Sequence, residues 1–213
     1  VCAGEGIKDM FSDRGADIIV DGGQSMNPST EDFLRAFDEA HARKILVFPN
    51  NSNIILTAKQ AAEMYSDSIV KVIESKSIGE GYSALSMLDY SSDDADVIEE
   101  LLKEDMKSSV TGMLTKAVRT TTVNGVNVNK GDYIGFTNKT MLVSTPEKMS
   151  SVYGLADKII KEESEFLIVA YGKDATVHER EAFSTFISNE HSNLEFYEIE
   201  GEQDVYDFIL IVE

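Results

Sequence analysis

The chain has 213 residues, more than the usual single domain of about 100 to 150 but too few for two large domains, so we expect two small lobes. Hydrophobic residues make up 42% of it, and only 3 prolines and 14 glycines occur, which excludes a largely disordered protein. The 38 acidic and 19 basic residues leave a formal net charge of −19, which disfavours nucleic acids and anionic membrane surfaces as partners.

The first half alternates strand and helix patterns, which is typical of a parallel sheet with crossover helices. Val1 to Gly6 is interpreted as a strand-to-loop segment, and because no initiator methionine precedes it we expect a fragment of a longer chain. Together the patterns predict a Rossmann-like α/β lobe over residues 1–107. Its other predicted elements are strands at 16–20, 44–48 and 69–73, a helix capped by Ser29 or Thr30, an alanine-rich helix at 58–64 and an acidic helix from about Asp94 to Lys107.

Strands joined by turns dominate the second half, which predicts a smaller α+β lobe over residues 108–213. Asn124-Gly125 is the favoured two-residue hairpin turn. Thr145-Pro146 is predicted to open one helix, and Thr176 with Glu179 forms a capping box that opens another. Three further strands are predicted at 166–171, 194–199 and 208–212.

The residue types that carry catalysis or hold metal ions form no recognisable set. His41, His178 and His191 each lack a second histidine or a cysteine at ligand spacing, so surface positions are the better interpretation. No phosphate-binding glycine-rich loop and no nucleophile elbow occurs, and Cys2, the one cysteine, can form no intrachain disulfide. We therefore predict no catalytic residue, no metal site and no cofactor in this fragment. With no signal segment and no run of about 18 to 20 apolar residues, we expect a cytoplasmic protein that does not span a membrane.

Three polar loops follow the three predicted parallel strands, at residues 22–27, 49–53 and 75–81. Loops at the carboxyl ends of parallel strands lie side by side, and ligands of such sheets bind there. Two of the loops lead into helix N-termini, whose free N–H groups favour an anion or a carboxylate. The alternative is that these asparagines and serines simply cap helices and close turns. The candidate binding residues are Gln24, Ser25, Asn27, Asn50, Asn51, Asn53, Lys76 and Ser77.

Several strings carry a resemblance to a known family. Residues 22–30 (Gly-Gly-Gln-Ser-Met-Asn-Pro-Ser-Thr), 49–54, 117–121 and 130–135 resemble the carboxyl-terminal domain of the A subunit of fatty acid kinase, one of the DhaL (dihydroxyacetone-kinase-like) proteins of Gram-positive bacteria. The first loop and Ser75-Lys76-Ser77 also resemble segments of the DegV family of bacterial fatty-acid-binding proteins, which implies a DegV-like fold. The resemblance adds Arg119 to the candidate partner-binding residues.

The resemblance implies a division of labour in lipid metabolism. ATP and magnesium are expected on a separate kinase domain of the same chain, which no stretch of these residues resembles. A fatty-acid-binding protein of the DegV family is expected to deliver the acyl carboxylate for phosphorylation, so this chain would be a noncatalytic docking module. Changes at Asn50, Asn51 or Arg119 are then expected to weaken docking and leave the fold intact.

One departure from the fatty-acid binders concerns the middle loop. Ile54, Ile55 and Leu56 stand where those proteins have small hydroxyl residues and glycine, so we expect a degenerate or repurposed lipid site. Two alternatives stay open at this point. One is a lipid or small-molecule carrier with its ligand in the cleft between the lobes, and the other is a stand-alone enzyme.

Overall fold

The computed structural model describes residues 1–23, 27–89, 94–138 and 140–213. The chain folds into two compact units, unit 1 (Val1–Ser109) and unit 2 (Val110–Glu213). In unit 1, β1 and β2 pair in parallel, with Lys44 opposite Ile69 and Val47 opposite Val72. The elements of unit 1 are α1 (Glu5–Asp13), α2 (Thr30–Ala40), β1 (Lys44–Val47), α3 (Ile55–Met64), β2 (Ile69–Val72), α4 (Ile78–Ser86) and α5 (Ala95–Asp105).

Local signals explain where the helices of unit 1 begin. The predicted cap at Ser29 is confirmed: the Asp32 N–H donates to Ser29 Oγ (3.2 Å) and the Ser29 N–H donates to the Asp32 carboxylate (2.8 Å). Phe33 and Phe37, one turn apart on α2, are then both buried. This capping box fixes the start of α2 at Thr30.

Two predictions for the start of the chain differ from the structure. The segment Val1 to Gly6 was interpreted as a strand and loop, but helix α1 already begins at Glu5, directly after Gly4 at φ 94°. Ile7 and Phe11 form its one buried face, and two apolar residues are too few for a helical period to be recognised in the sequence. Residues 16–20, predicted as a strand, form none. A β-strand requires hydrogen bonds to a neighbouring strand. Here the pairing is a single parallel bridge between Cys2 and Asp21, just after this segment.

Unit 2 is built around a six-stranded sheet in the order β7-β6-β3-β10-β8-β9. Neighbouring strands run antiparallel, except that β8 and β9 are parallel. Central β10 is buried along its whole length. The elements of unit 2 are β3 (Val110–Lys116), β4 (Thr121–Val123), β5 (Val126–Val128), β6 (Tyr133–Thr137), β7 (Thr140–Thr145), α6 (Lys148–Ile159), β8 (Phe166–Tyr171), α7 (Val177–Glu190), β9 (Glu195–Ile199) and β10 (Phe208–Val212).

Most local predictions for unit 2 are confirmed. Asn124 (φ 51°) and Gly125 (φ 78°) have the left-handed backbone that a two-residue hairpin turn between β4 and β5 requires. Thr176 and Glu179 form the expected capping box at the start of α7. The predicted start of α6 at Thr145 and Pro146 is wrong, because Thr145 still belongs to β7 and the helix begins at Lys148.

Candidate functional site

The carboxyl ends of β1 and β2 bring two polar loops together around Asn50 and Ser75. The Asn50 N–H donates to Ser75 Oγ (3.0 Å), and the Ser75 hydroxyl donates to Asn50 Oδ1 (2.8 Å). Asn50 Nδ2 donates to the carbonyl of Val1 (2.9 Å). Asn50 has φ 57°, a left-handed conformation that asparagine tolerates better than most residues. This side chain therefore joins three segments that are far apart in sequence.

Helix α4 begins against this amide. A Cβ added at Gly81 would lie 1.7 Å from Asn50 Oδ1, so glycine is required for the close approach. Ser77 caps α4 by accepting the Glu80 N–H (3.2 Å), and the Lys76 N–H donates to the Glu80 carboxylate (2.6 Å). The space near the N-terminus of α4 is thus filled by the protein's own amide and carboxylate.

Of the predicted site residues in these loops, some are buried and some are exposed. Asn50, Asn51 and Ser77 are 6%, 6% and 4% exposed, and Asn51 Oδ1 accepts the N–H of Asn53 (2.9 Å). Their contacts are those of the capping and turn-closing alternative. The expectation that Asn50 and Asn51 can be changed with the fold intact does not fit their burial. Asn53 and Lys76 are exposed.

The remaining candidates lie elsewhere. Gln24 and Ser25 are outside the described residues, and Asn27 is exposed just before the capped start of α2. Arg119 is exposed in unit 2, in the connection from β3 to β4. Ser75, fully buried at the centre of the cluster, is not among the predicted site residues; its position just beyond the carboxyl end of β2 is the signal that points to it.

The apolar residues after Asn53 differ in burial. Ile54 is fully buried and belongs to the core cluster with Phe33 and Phe37. Leu56 is 67% exposed. Of the large side chains that distinguish this loop from that of the fatty-acid binders, Ile54 therefore lies in the core and Leu56 in solvent.

Unit 2 contains a group of charges around Lys148, at the start of α6, in which Asp207 is buried and Lys148 and Glu179 are partly buried. Lys148 Nζ lies 3.3 Å from Glu179 Oε1 and 3.2 Å from Asp207 Oδ1, and it donates to the Asp174 carbonyl (2.8 Å). Burial works to lower the pKa of Lys148, but the attraction of Asp207 and Glu179 outweighs it and the pKa is raised. Burial also raises the pKa of Asp207, against the pull of Lys148. This group joins α6, α7 and the start of β10.

Tyr171 lies at the carboxyl end of β8. Its hydroxyl donates to Glu198, and the Arg180 guanidinium lies 5.3 Å from the centre of its ring. Burial, together with Glu198, raises the pKa of the Tyr171 hydroxyl well above its usual range, so the hydroxyl stays protonated and acts as a donor. Arg180 also pairs with Glu200. Arg180 Nε also donates to the Ala175 carbonyl (3.0 Å), so these contacts tie α7 to β8 and to the end of β9.

Charge is unevenly distributed along unit 2. Residues 162–213 contain 14 acidic side chains and two basic ones, Lys173 and Arg180, whereas residues 110–161 contain 3 acidic and 7 basic ones. The acidic part includes β9, which is an edge strand of the sheet. Counting charge by segment would have found this concentration in the sequence. The exposed acids on β9 and the following loop, here called the acidic edge, are Glu195, Glu198, Glu200, Glu202 and Asp204.

Metal clusters and membrane spans are both missing from the described residues. Among them no group of three or more histidine, cysteine, aspartate or glutamate side chains is placed to hold a metal ion. Within the same part of the chain, no helix combines the length and the apolar character that crossing a membrane demands.

Comparison with known proteins places the whole chain in one family. Residues 1–213 match the FakA-like C-terminal family, whose description is the C-terminal region of proteins like the A subunit of fatty acid kinase. Protein YloV of Bacillus subtilis is 35% identical over 214 residues, which cover 100% of this chain and 38% of YloV. An uncharacterized protein of Staphylococcus aureus strain USA300 is 34% identical over 217 residues, again 100% of this chain and 38% of the relative. The chain thus spans 38% of the length of these curated relatives.

Solved structures show the fold. The Streptococcus pneumoniae Fatty Acid Kinase (Fak) B3 protein loaded with linoleic acid is similar with a TM-score of 0.60 at 13% identity, over 87% of this chain and 75% of that one. DegV, a fatty acid binding protein from Bacillus subtilis, is similar with a TM-score of 0.56 at 13% identity, over 88% and 77% of the two chains. The dihydroxyacetone kinase of C. freundii is similar with a TM-score of 0.55 at 12% identity, over 88% of this chain and 41% of that one. The expected DegV-like α/β fold is confirmed.

Proposed function

Because the chain belongs to the FakA-like C-terminal family of fatty acid kinases, we propose that it docks a fatty-acid-loaded binding protein of the DegV kind. A separate ATP-binding kinase domain of the longer protein would then phosphorylate the acyl carboxylate that this partner holds. In this division of labour the chain supplies binding and contributes no group to the chemical step.

The acidic edge is the observation that carries the docking proposal. Its five carboxylates lie on one edge strand and the loop after it, and Lys173 and Arg180 are the two bases in the surrounding segment. These two bases pair with two of the five carboxylates, Glu200 with Arg180 and Asp204 with Lys173, so acids remain in excess on this edge. An excess of one sign opposes folding by repulsion, and attraction to a partner of opposite sign explains it better. We therefore propose that the binding protein presents a basic face to this edge.

Charge at this edge acts mainly on the approach of the partner. Opposite charges on the two proteins attract each other over about 8 Å at physiological ionic strength. This attraction speeds the encounter and orients the two proteins before they touch. Within unit 2, exposed Arg119 would add a short contact and specificity. The exposed candidates of unit 1, Asn27, Asn53 and Lys76, are proposed as contacts in their own right, independent of the acidic edge.

The test is isothermal titration of this chain with a fatty-acid-loaded binding protein, at about 50 mM and about 200 mM salt. We expect saturable binding that weakens as salt rises. The double variant Glu202→Lys with Asp204→Lys should weaken binding about tenfold, a loss of about 1.4 kcal/mol. Arg119→Ala should weaken it less, about threefold, because one exposed contact is removed.

The matched control is the double variant Glu162→Lys with Glu163→Lys. It changes net charge by the same amount on two exposed residues that precede β8, whereas Glu202 bonds to Tyr171 at the opposite end of that strand. Affinity close to that of the unchanged chain is expected. Equal losses for the two double variants would mean that net charge alone acts, and the acidic edge would no longer be the proposed docking surface.

A further inference from the structure

Strand β9 lies at one end of the unit 2 sheet. In the described part of the chain it pairs in parallel with β8 on one side and with no strand on the other. The Glu195 N–H donates to the Glu165 carbonyl (3.0 Å), so residue 195 directs its backbone groups towards β8. Successive residues of a parallel strand alternate in this direction. Phe196 and Glu198 therefore direct their N–H and C=O groups away from the sheet.

A strand edge of this kind can pair with any extended chain that lies along it. Natural sheets protect such edges with charged side chains, and β9 contains Glu195 and Glu198, with Glu200 directly after it. The β9 strand of a second copy would bring the same acids to this edge, and like charges across a strand pair are destabilising. Pairing with a second copy, or with any acidic strand, is therefore disfavoured here.

Both faces of β9 present groups that suit a basic strand. On one face Glu195 and Tyr197 are exposed, and the Tyr197 hydroxyl donates to the Glu195 carboxylate (2.8 Å). Tyr197 is 53% exposed, and an aromatic ring attracts a lysine or arginine side chain placed over it. On the other face Glu198 is exposed, and it accepts the Tyr171 hydroxyl. Lysine or arginine in a neighbouring strand would thus meet a carboxylate on either face.

The protein's own contacts hold β9 in place. The centre of the Phe196 ring lies 6.3 Å from that of Phe183, which is fully buried on α7. Arg180 of α7 pairs with Glu200, just after the strand. A partner segment therefore meets an edge that is already extended, so little conformational entropy is lost on this side of the interface.

We propose that β9 accepts an extended segment of the partner, bearing lysine or arginine, as an additional strand of the six-stranded sheet. The inference rests on the docking proposed above and specifies how it occurs. Backbone hydrogen bonds at Phe196 and Glu198 supply affinity, and the carboxylates of β9 select a basic segment. A basic surface with no strand to add would meet the same charges and leave these outward N–H groups unpaired.

The test measures amide hydrogen exchange of this chain with a short peptide that alternates lysine and valine, and separately with the fatty-acid-loaded binding protein. We expect exchange at the amides of Phe196 and Glu198 to slow at least about tenfold with either one. The Tyr197 amide faces β8 and should change little. The amides of β7, the other edge strand, should also change little, because that strand contains no acidic residue.

Two control peptides separate charge from backbone pairing. Glutamate in place of lysine keeps the strand-forming valines and reverses the charge. Proline in place of valine keeps the charge but cannot pair as a strand. Neither control should slow exchange at Phe196. Equal protection by the glutamate peptide would contradict selection by charge, and equal protection by the proline peptide would contradict backbone pairing.

The outcomes also separate strand addition from the docking on which it rests. If the binding protein binds and the amides of Phe196 and Glu198 do not slow, strand addition is overturned and docking at the acidic edge stands. If the basic peptide slows them and the binding protein does not bind, strand addition is supported and the proposed partner is wrong. No protection by the peptide together with no binding of the protein overturns both.

Discussion

Unit 1 and unit 2 are nearly equal in length but differ in how far their sheets are completed. In unit 2, β10 pairs on both edges, with β3 and β8, and every one of its residues is buried. In unit 1, β1 pairs with β2 on one edge, a cavity of about 380 Å³ lies along the other, and of its residues Val47 alone is buried. Burial of a strand therefore follows the number of its neighbours in each unit.

The largest expected effect comes from removing one buried ring in each unit. Phe183 contacts the rings of Tyr153, Phe186, Phe196 and Phe208 and is fully buried. Phe183→Ala should lower the free energy of unfolding of unit 2 by about 4 kcal/mol, measured by denaturant unfolding.

The matched variant in unit 1 is Phe33→Ala. Phe33 is also fully buried, but it borders the cavity and so has fewer atoms around it to lose. We expect a loss of about 2 to 3 kcal/mol. Equal losses for the two variants would contradict the difference in packing between the units.

The next effect tests whether unit 2 depends on its buried charges. In Lys148→Met, Asp207 and Glu179 lose their shared cation while Asp207 stays 9% exposed at its side chain. An uncompensated buried charge should cost about 3 kcal/mol in the free energy of unfolding. The raised pKa of Lys148 means that its contribution is present below the ordinary lysine pKa of 10.5 and is lost as pH rises through the folded-state pKa.

Lys173→Met is the control for that variant. Lys173 pairs with Asp204, and both side chains are more than half exposed (57% and 67%), so the loss should stay within about 0.5 kcal/mol. Chemical denaturation of both variants and the unchanged chain at pH 7, where the contribution of Lys148 is fully present, makes the comparison. A loss in Lys148→Met as small as in Lys173→Met would mean that solvent compensates the buried carboxylates.

Local signals in the sequence predicted a good part of this fold. The cap of α2, predicted at Ser29 or Thr30, the box at Thr176 and the turn at Asn124-Gly125 depend on contacts within three or four residues, so the sequence predicted them; that the cap is Ser29 came from the structure. The strand at 16–20 was predicted wrongly because pairing is not local: the segment meets Cys2 in a single bridge at Asp21, which no pattern within residues 16–20 could show.

The candidate site was predictable in position but not in chemistry. The alternation of strands and polar loops indicated that residues 49–53 and 75–81 would meet, and they do, through Asn50 and Ser75. Whether an asparagine points outward to a partner or inward to the backbone depends on Gly81 and Val1, which are far away in sequence. No pattern around Asn50 could have shown its burial.

The smallest of the expected stability effects concerns Asn50, in the loop after β1 of unit 1. Asn50→Ala removes the side-chain hydrogen bonds to Ser75 and Val1, while the backbone N–H of residue 50 can still donate to Ser75 Oγ. The buried Ser75 hydroxyl loses the Asn50 Oδ1 acceptor, and alanine is placed at φ 57°. We expect a loss of about 2 kcal/mol in the free energy of unfolding. Asn50→Gly should lose about 1 kcal/mol less, because glycine adopts this conformation without strain, and this difference separates the backbone from the hydrogen bonds. Asn53→Ala, at an exposed position in the same loop, should be neutral. If Asn50→Ala left stability unchanged and instead weakened docking, Asn50 would belong to the partner surface rather than to the framework of unit 1.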